Sequence, residues 1–172
     1  AEFKKVIEEA LKNTPGDTTT PTATKPYHGH ANFLVMIDGK AMDFSLDQYQ
    51  SPEGKELNED LHLHNKHGEF VHIHKENSTW QTFFKSLGMD LTQTCFNTSN
   101  TKTYCTSGSK KLSVILNDTA LTDWSALPIN DLDRLLISYG TSTAKQLDQQ
   151  FVKVADNACI YSEKCPERGK PD

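Results

Sequence analysis

No run of this chain is apolar and long enough to cross a membrane as a helix, and no signal peptide lies within its residues. Positive charge is scarce. Eighteen Lys and Arg against 23 Asp and Glu leave a formal net charge of -5, and the basic residues form no cluster, which argues against a nucleic-acid partner. Apolar residues are also few, at 35% of 172 residues with a mean hydropathy of -0.61. A chain of this length can still bury one core, so polar segments are expected outside a single domain. Cys-x-x-Cys is missing, which weakens a redox motif or a zinc ribbon. A phosphate-binding glycine loop, a dinucleotide fingerprint and any Ser/His/Asp or Cys/His arrangement are missing as well, and with them the commonest nucleotide and acyl-transfer enzymes.

Histidine, in contrast, is concentrated. All seven lie between His28 and His74, and five of them fall in LHLHNKHGEFVHIH, residues 61–74. In a strand, successive side chains point to opposite faces, so each His-x-His pair sets two imidazoles on one face about 6.6 Å apart. The pairs are His28/His30, His62/His64 and His72/His74. A hairpin pairing His62 with His74 and His64 with His72 gathers four imidazoles on one face and Leu61, Leu63, Val71 and Ile73 on the other. Burial of the apolar set selects a register of this parity, because a slip by one residue would split both sets. The four Cα atoms then form a rectangle of about 5 by 6.6 Å, from which imidazoles can converge on Cu(II) or Zn(II), with His28 and His30 on an adjacent strand completing the shell or making a second site. His67, at the turn, is the weakest candidate. Cys thiolates take no part in this reading, which disfavours Cu(I), and Met36 is read as packing.

Around this stretch the pattern reads as an α+β fold. Residues 1–14 suggest an amphipathic helix, with Phe3, Val6, Ile7, Ala10 and Leu11 at helical spacing, and 15–27 a Thr/Pro-rich linker. The chain starts at Ala1 without Met, as a processed or trimmed product would. The domain proper, 28–158, opens on a strand that turns at Asp38-Gly39 into a second. The histidine hairpin reads as an insertion before a helix over 78–88, where Trp80, Phe83, Phe84 and Leu87 share a face and Gly88 is the stop. Strands follow at 112–118 and 131–140, then a C-terminal helix over 142–156, and residues 159–172 close as a cysteine-bridged tail. Two hairpins separated by a packed helix is the order of a β-grasp-like mixed sheet.

The four cysteines, Cys95, Cys105, Cys159 and Cys165, allow three pairings. The simplest is two local disulfides, Cys95–Cys105 around a polar surface loop and Cys159–Cys165, contributing about 2–3 kcal/mol each by chain entropy. Sequons at Asn77, Asn97 and Asn117 fit an extracytoplasmic glycoprotein. An enzyme is the lesser expectation. A His₃ zinc site with an open position could serve a hydrolase or hydratase, with Glu69 the nearest base, but Glu69 reads better as a solvated turn residue. His62-Leu-His64-x4-Glu69 matches the first cupin metal motif only superficially, since its flanking glycines and second motif are missing.

The segments LSVILND and LPINDLDRLLISYG are similar to the second half of ubiquitin-like sulfur carriers, which implies the β-grasp fold. Those carriers end in a free Gly-Gly, whereas this chain continues past Gly140, so their conjugation chemistry is not implied. Over most of 28–172, the combination HANFLVMIDGKAMDF, LHLHNKHGEFVHIHKE, TWQTFFKSLGM, LDRLLISYG and ACIYSEKCPERG resembles a family of uncharacterised prokaryotic proteins, chiefly archaeal. Its members carry an N-terminal membrane helix before an extracytoplasmic domain. The resemblance implies an extracellular or cell-surface address. The expected function is metal binding for sequestration, delivery or sensing. The alternative is a structural or adhesive subunit self-associating through residues 1–12 or a sheet edge.

Overall fold

A computed structural model of the chain describes residues 27–52 and 54–171. The expected N-terminal helix and nearly all of the linker lie outside them. Strand β1 (Gly29–Ile37) runs through the centre of a mixed seven-stranded sheet. Its alternation buries Ala31, Phe33 and Val35 on one face. Asp38 and Gly39, with φ of 48° and 78°, make the tight turn into β2 (Lys40–Ala41), where Gly39 meets a backbone that other residues adopt at a cost. The path across the sheet is β3 (Leu61–His62), β4 (Phe70–Ile73), β1, β10 (Arg134–Gly140), β8 (Lys111–Leu116) and β9 (Thr119–Ala120). β1 and β10 are parallel at the centre, and every other pairing is antiparallel.

Helix α1 (Trp80–Ser86) covers one face. Thr79 caps it by accepting from the Thr82 N–H, and Trp80, Phe83 and Phe84 are fully buried against Phe33 and the β-branched residues around it. The predicted helix is therefore present, with its apolar stripe as core. A second, three-stranded sheet holds β5 (Asp90–Leu91), β6 (Cys95–Asn97) and β7 (Thr103–Cys105). The expected polar loop between Cys95 and Cys105 is thus a hairpin, and the two cysteines face each other across it with Cα atoms 4.0 Å apart. Phe96 of this hairpin plugs into the core beside Phe84, which explains why so polar a segment orders as strand.

The opposite face is covered in two parts. Helix α2 (Ala144–Phe151), opened by a Thr143/Gln146 capping box, places Phe151 on a small cluster with Met36, Ile115, Leu136 and Val154. This helix is shorter than the 142–156 expected, and Met36 is packing, as the sequence suggested. Helix α3 (Ala158–Tyr161) lies over the other half. It is held by Asn32, fully buried, which donates to the Glu69 carbonyl and the Asn157 side chain and accepts from the Ala158 N–H. The Cys159–Cys165 bridge closes the segment that follows. Helix α3 is therefore packed on the sheet.

The histidine hairpin also differs in detail. It is no appendage, because β4 is the direct neighbour of β1. Its parity is the expected one, but the register is displaced by two residues: Leu61 pairs with Ile73 and His62 with His72. The ladder ends early because the Leu63 carbonyl accepts from Ser51 N–H, and Asn65 and Lys66 turn away with positive φ. Leu61, Leu63, Val71 and Ile73 still face the core together.

Candidate metal centre

The ladders β3–β4–β1 align His62, His72 and His30 as a row across three strands. His74 and His28 lie two residues beyond it along their strands, with their rings stacked at 4.8 Å. His64, past the end of β3, lays its ring on His72 at 3.9 Å. All six residues expected as ligands are therefore on one face. Ligand nitrogens of His28, His72 and His74 come within 4.8 Å of one another. Three donors at 2.0–2.1 Å on a tetrahedral ion stand about 3.4 Å apart, so each ring needs a shift of less than about 1 Å to close on one. The residues fit a divalent metal ion.

The closest set differs from the expected quartet: His28 joins His72 and His74, while His62 and His64 flank them. His62 Nδ1 donates to the Asn58 carbonyl at 3.0 Å, which fixes the ring. His67 stands apart. Its Nδ1 is 3.1 Å from Glu69 and its Nε2 3.3 Å from Tyr161 Oη. His30 is enclosed, with Nδ1 2.9 Å from Ser162 Oγ and Nε2 2.9 Å from His72 Nδ1. His72 Nε2 is buried and has no hydrogen-bond partner among the described residues. A buried, unpartnered imidazole nitrogen is costly unless something binds it.

Burial keeps four of the rings, His30, His64, His72 and His74, neutral. Burial pushes His30 down to about 4, helped by His28 and opposed by Asp131. Burial lowers His72, His64 and His74 as well, and the surrounding histidines add to it. Neutral imidazole is the form that binds metal, so the cluster is prepared at neutral pH. Solvent reaches it through two cavities of about 640 and 660 Å³, which share His64, Asn65 and His74; the second also carries Glu56 and Glu59.

Both disulfides form by the simplest pairing, and no cysteine among the described residues is free. Three contributors escaped the sequence reading: Asn58, Asp131 and Ser162. Ser162 sits inside the conspicuous ACIYSEKCPERG segment, but nothing local ties it or Asp131 to a histidine more than 100 residues away. Gly29 was similarly silent. A Cβ there would stand 3.1 Å from Asp131 Cβ, so the His-Gly-His spelling lets that carboxylate approach. Compared with known proteins, the chain matches no family model, no curated protein and no solved structure. Among the described residues no helix is long and apolar enough to cross a membrane.

Proposed function

We propose that the protein is an extracytoplasmic metal-binding domain that takes up Cu(II) or Zn(II) at His28, His72 and His74 for sequestration, delivery or sensing. The carrying observation is the convergence of these three imidazoles within 4.8 Å around the unpartnered Nε2 of His72. An all-imidazole set suits copper, zinc or nickel better than magnesium or calcium, and with every described cysteine in a disulfide no thiolate is available to favour Cu(I). Two disulfides suit an oxidising, extracellular or cell-surface location, in keeping with the resemblance to anchored prokaryotic proteins. Asn77 is exposed and open to a glycan, whereas Asn117 spends both side-chain atoms on Asp133 and Arg134. A β-grasp-like reading of the fold draws support from the two parallel central strands, β1 and β10, flanked by β4 and β8 with α1 between those flanking strands in sequence.

Binding is favoured over hydrolysis because Glu69, the base the sequence offered, is engaged by His67, Gly68 N–H and Asn157. A structural subunit joined edge to edge would have the open edges β3 and β9 to use, each of two residues, so metal binding comes first. Native mass spectrometry of purified protein is expected to show at least one Cu(II) or Zn(II) per chain, lost near pH 5. No uptake, or equal uptake after replacing His28, His72 and His74 together by Ala, would sink the reading.

A further inference from the structure

We propose that His30, although paired with His28 by spacing, is a positioning residue and not a ligand: the chain Asp131–Ser162–His30 selects the His72 tautomer whose Nε2 is bare for metal. The inference rests on the metal-binding reading above and concerns how that same site is set.

The direction of each hydrogen bond follows from the first. The Asp131 carboxylate only accepts: from the His30 backbone N–H at 2.8 Å, from Ser162 Oγ–H at 2.5 Å and from the Lys164 ammonium. Burial alone would raise its carboxyl group, but Lys164, Ser162 and the His30 N–H outweigh that and hold it below the ordinary carboxylate range. The Ser162 proton is thereby spent on Asp131. At the 2.9 Å contact with His30, Ser162 Oγ is then the acceptor and Nδ1–H the donor. A neutral imidazole protonated at Nδ1 carries its lone pair on Nε2. His30 Nε2 therefore accepts from His72 Nδ1–H at 2.9 Å, and the His72 lone pair falls on Nε2, the atom that is buried and unpartnered.

The two ends of this chain complement each other. Asp131 lies in the turn before β10 and is braced by Lys164, and Ser162 lies in the segment closed by Cys159–Cys165. Both are fixed by contacts independent of the histidines. A ligand histidine whose second nitrogen donates to a fixed acceptor is oriented in the form that binds metal, and loss of such a partner costs about 10–100-fold in affinity. His30, with both nitrogens engaged, has no lone pair left to offer.

Two-bond ¹H–¹⁵N spectra of the metal-free, full chain read the tautomers directly. Both His30 and His72 are expected to be protonated at Nδ1; a proton on His72 Nε2 overturns the proposal. For Cu(II) titrated into the variants, His30→Leu and Ser162→Ala are each expected to weaken binding by about 10–100-fold. His30→Gln, whose carbonyl can accept from His72 and whose amide can donate to Ser162, should restore affinity to within a few-fold of wild type. Pulsed EPR should count the same number of imidazole nitrogens on copper in all of them. A count lower by one in both His30 variants makes His30 a ligand and overturns the proposal, as does wild-type affinity in Ser162→Ala. No uptake by the wild type removes the metal-binding reading itself, a result distinct from any tautomer pattern because those spectra need no metal. Should His30→Leu fail to fold, Ser162→Ala carries the test.

Discussion

Odd and even residues of β1 are equally hidden from solvent. Ala31, Phe33 and Val35 on one face and His30, Asn32 and Met36 on the other are all between 0% and 3% exposed. The first face is filled by shape: Phe33 packs among Phe44, Phe83 and Phe84 with rings at edge-on angles, and needs no polar partner. Most of the second must be filled by bonds. Asn32 makes three, His30 uses both ring nitrogens and its backbone N–H, and among the described residues the side-chain atom this face leaves over is His72 Nε2. Burial alone therefore does not separate core from site. Nor does a leftover polar atom alone, since Trp80 Nε1 and Asn97 Oδ1 are also buried without a partner among the described residues; the separation comes from the convergence of other imidazole nitrogens on His72.

The sharpest way to break this comparison is one substitution on each face. Phe83→Ala empties a fully buried site and should cost about 3–5 kcal/mol in urea unfolding. His72→Leu removes an orphaned nitrogen while leaving His30 Nε2 unpaired, two changes of about 1–3 kcal/mol with opposite sign. It should stay within about 1.5 kcal/mol of wild type in the metal-free state and yet lose metal uptake. Equal destabilisation by the two variants would mean that the histidine face is ordinary core.

Acid sharpens the same contrast. His30 is held neutral by burial, with its folded value near 4 against 6.5 for a free imidazole. Between those values the unfolded chain binds a proton that the folded chain refuses, so this contribution is intact above pH 6.5 and is lost as pH falls through 4. For the metal-free protein the loss from His30 is on the order of 3 kcal/mol, and His72, lowered in the same sense, adds to it. Urea midpoints recorded from pH 7 to pH 4 should fall accordingly, and flatten in His30→Leu. A profile of wild type that stays level to pH 4 would contradict the burial of these rings.

The apolar face was legible because it repeats: alternation in 31–37 and 71–73, and the spacing of Trp80, Phe83 and Phe84, mark core under any register of the right parity. The same alternation collected the histidines. The two-residue displacement of the hairpin was not legible, because alternation fixes only the parity, and the Leu63 carbonyl is taken by Ser51 N–H, a tertiary bond that no spacing announces. In this register the closest nitrogens of the six candidates are those of His28, His72 and His74, with His62 and His64 beside them. Nor could spacing reveal that Asp131 and Ser162 meet behind His30. Contacts between residues more than 100 positions apart leave no periodic trace, and the Cys159–Cys165 segment reads as a tail because its partners, His30 and Asp131, are distant in sequence.

The two disulfides turn that last point into the finest test. Cys95–Cys105 staples a hairpin whose plug, Phe96, belongs to the aromatic face, and Cys159–Cys165 closes the loop that carries Ser162 and Lys164 behind His30. By loop length the two are nearly equal, and replacing either pair by Ser should cost about 2–3 kcal/mol of stability. Their effect on metal should not be equal. Without Cys159–Cys165 the acceptor for His30 Nδ1–H is held less rigidly, and affinity for Cu(II) at neutral pH should drop by about 10-fold, on the order of 1.4 kcal/mol. Without Cys95–Cys105 it should stay within about two-fold, because nothing in that hairpin bonds to a histidine of the cluster and effects at distant sites add independently. Competition titrations against a chelator of known affinity, on variants first matched for folded fraction, separate the two. Equal losses would place the histidine face under global stability, whereas unequal ones would tie the C-terminal bridge to the centre it overlies.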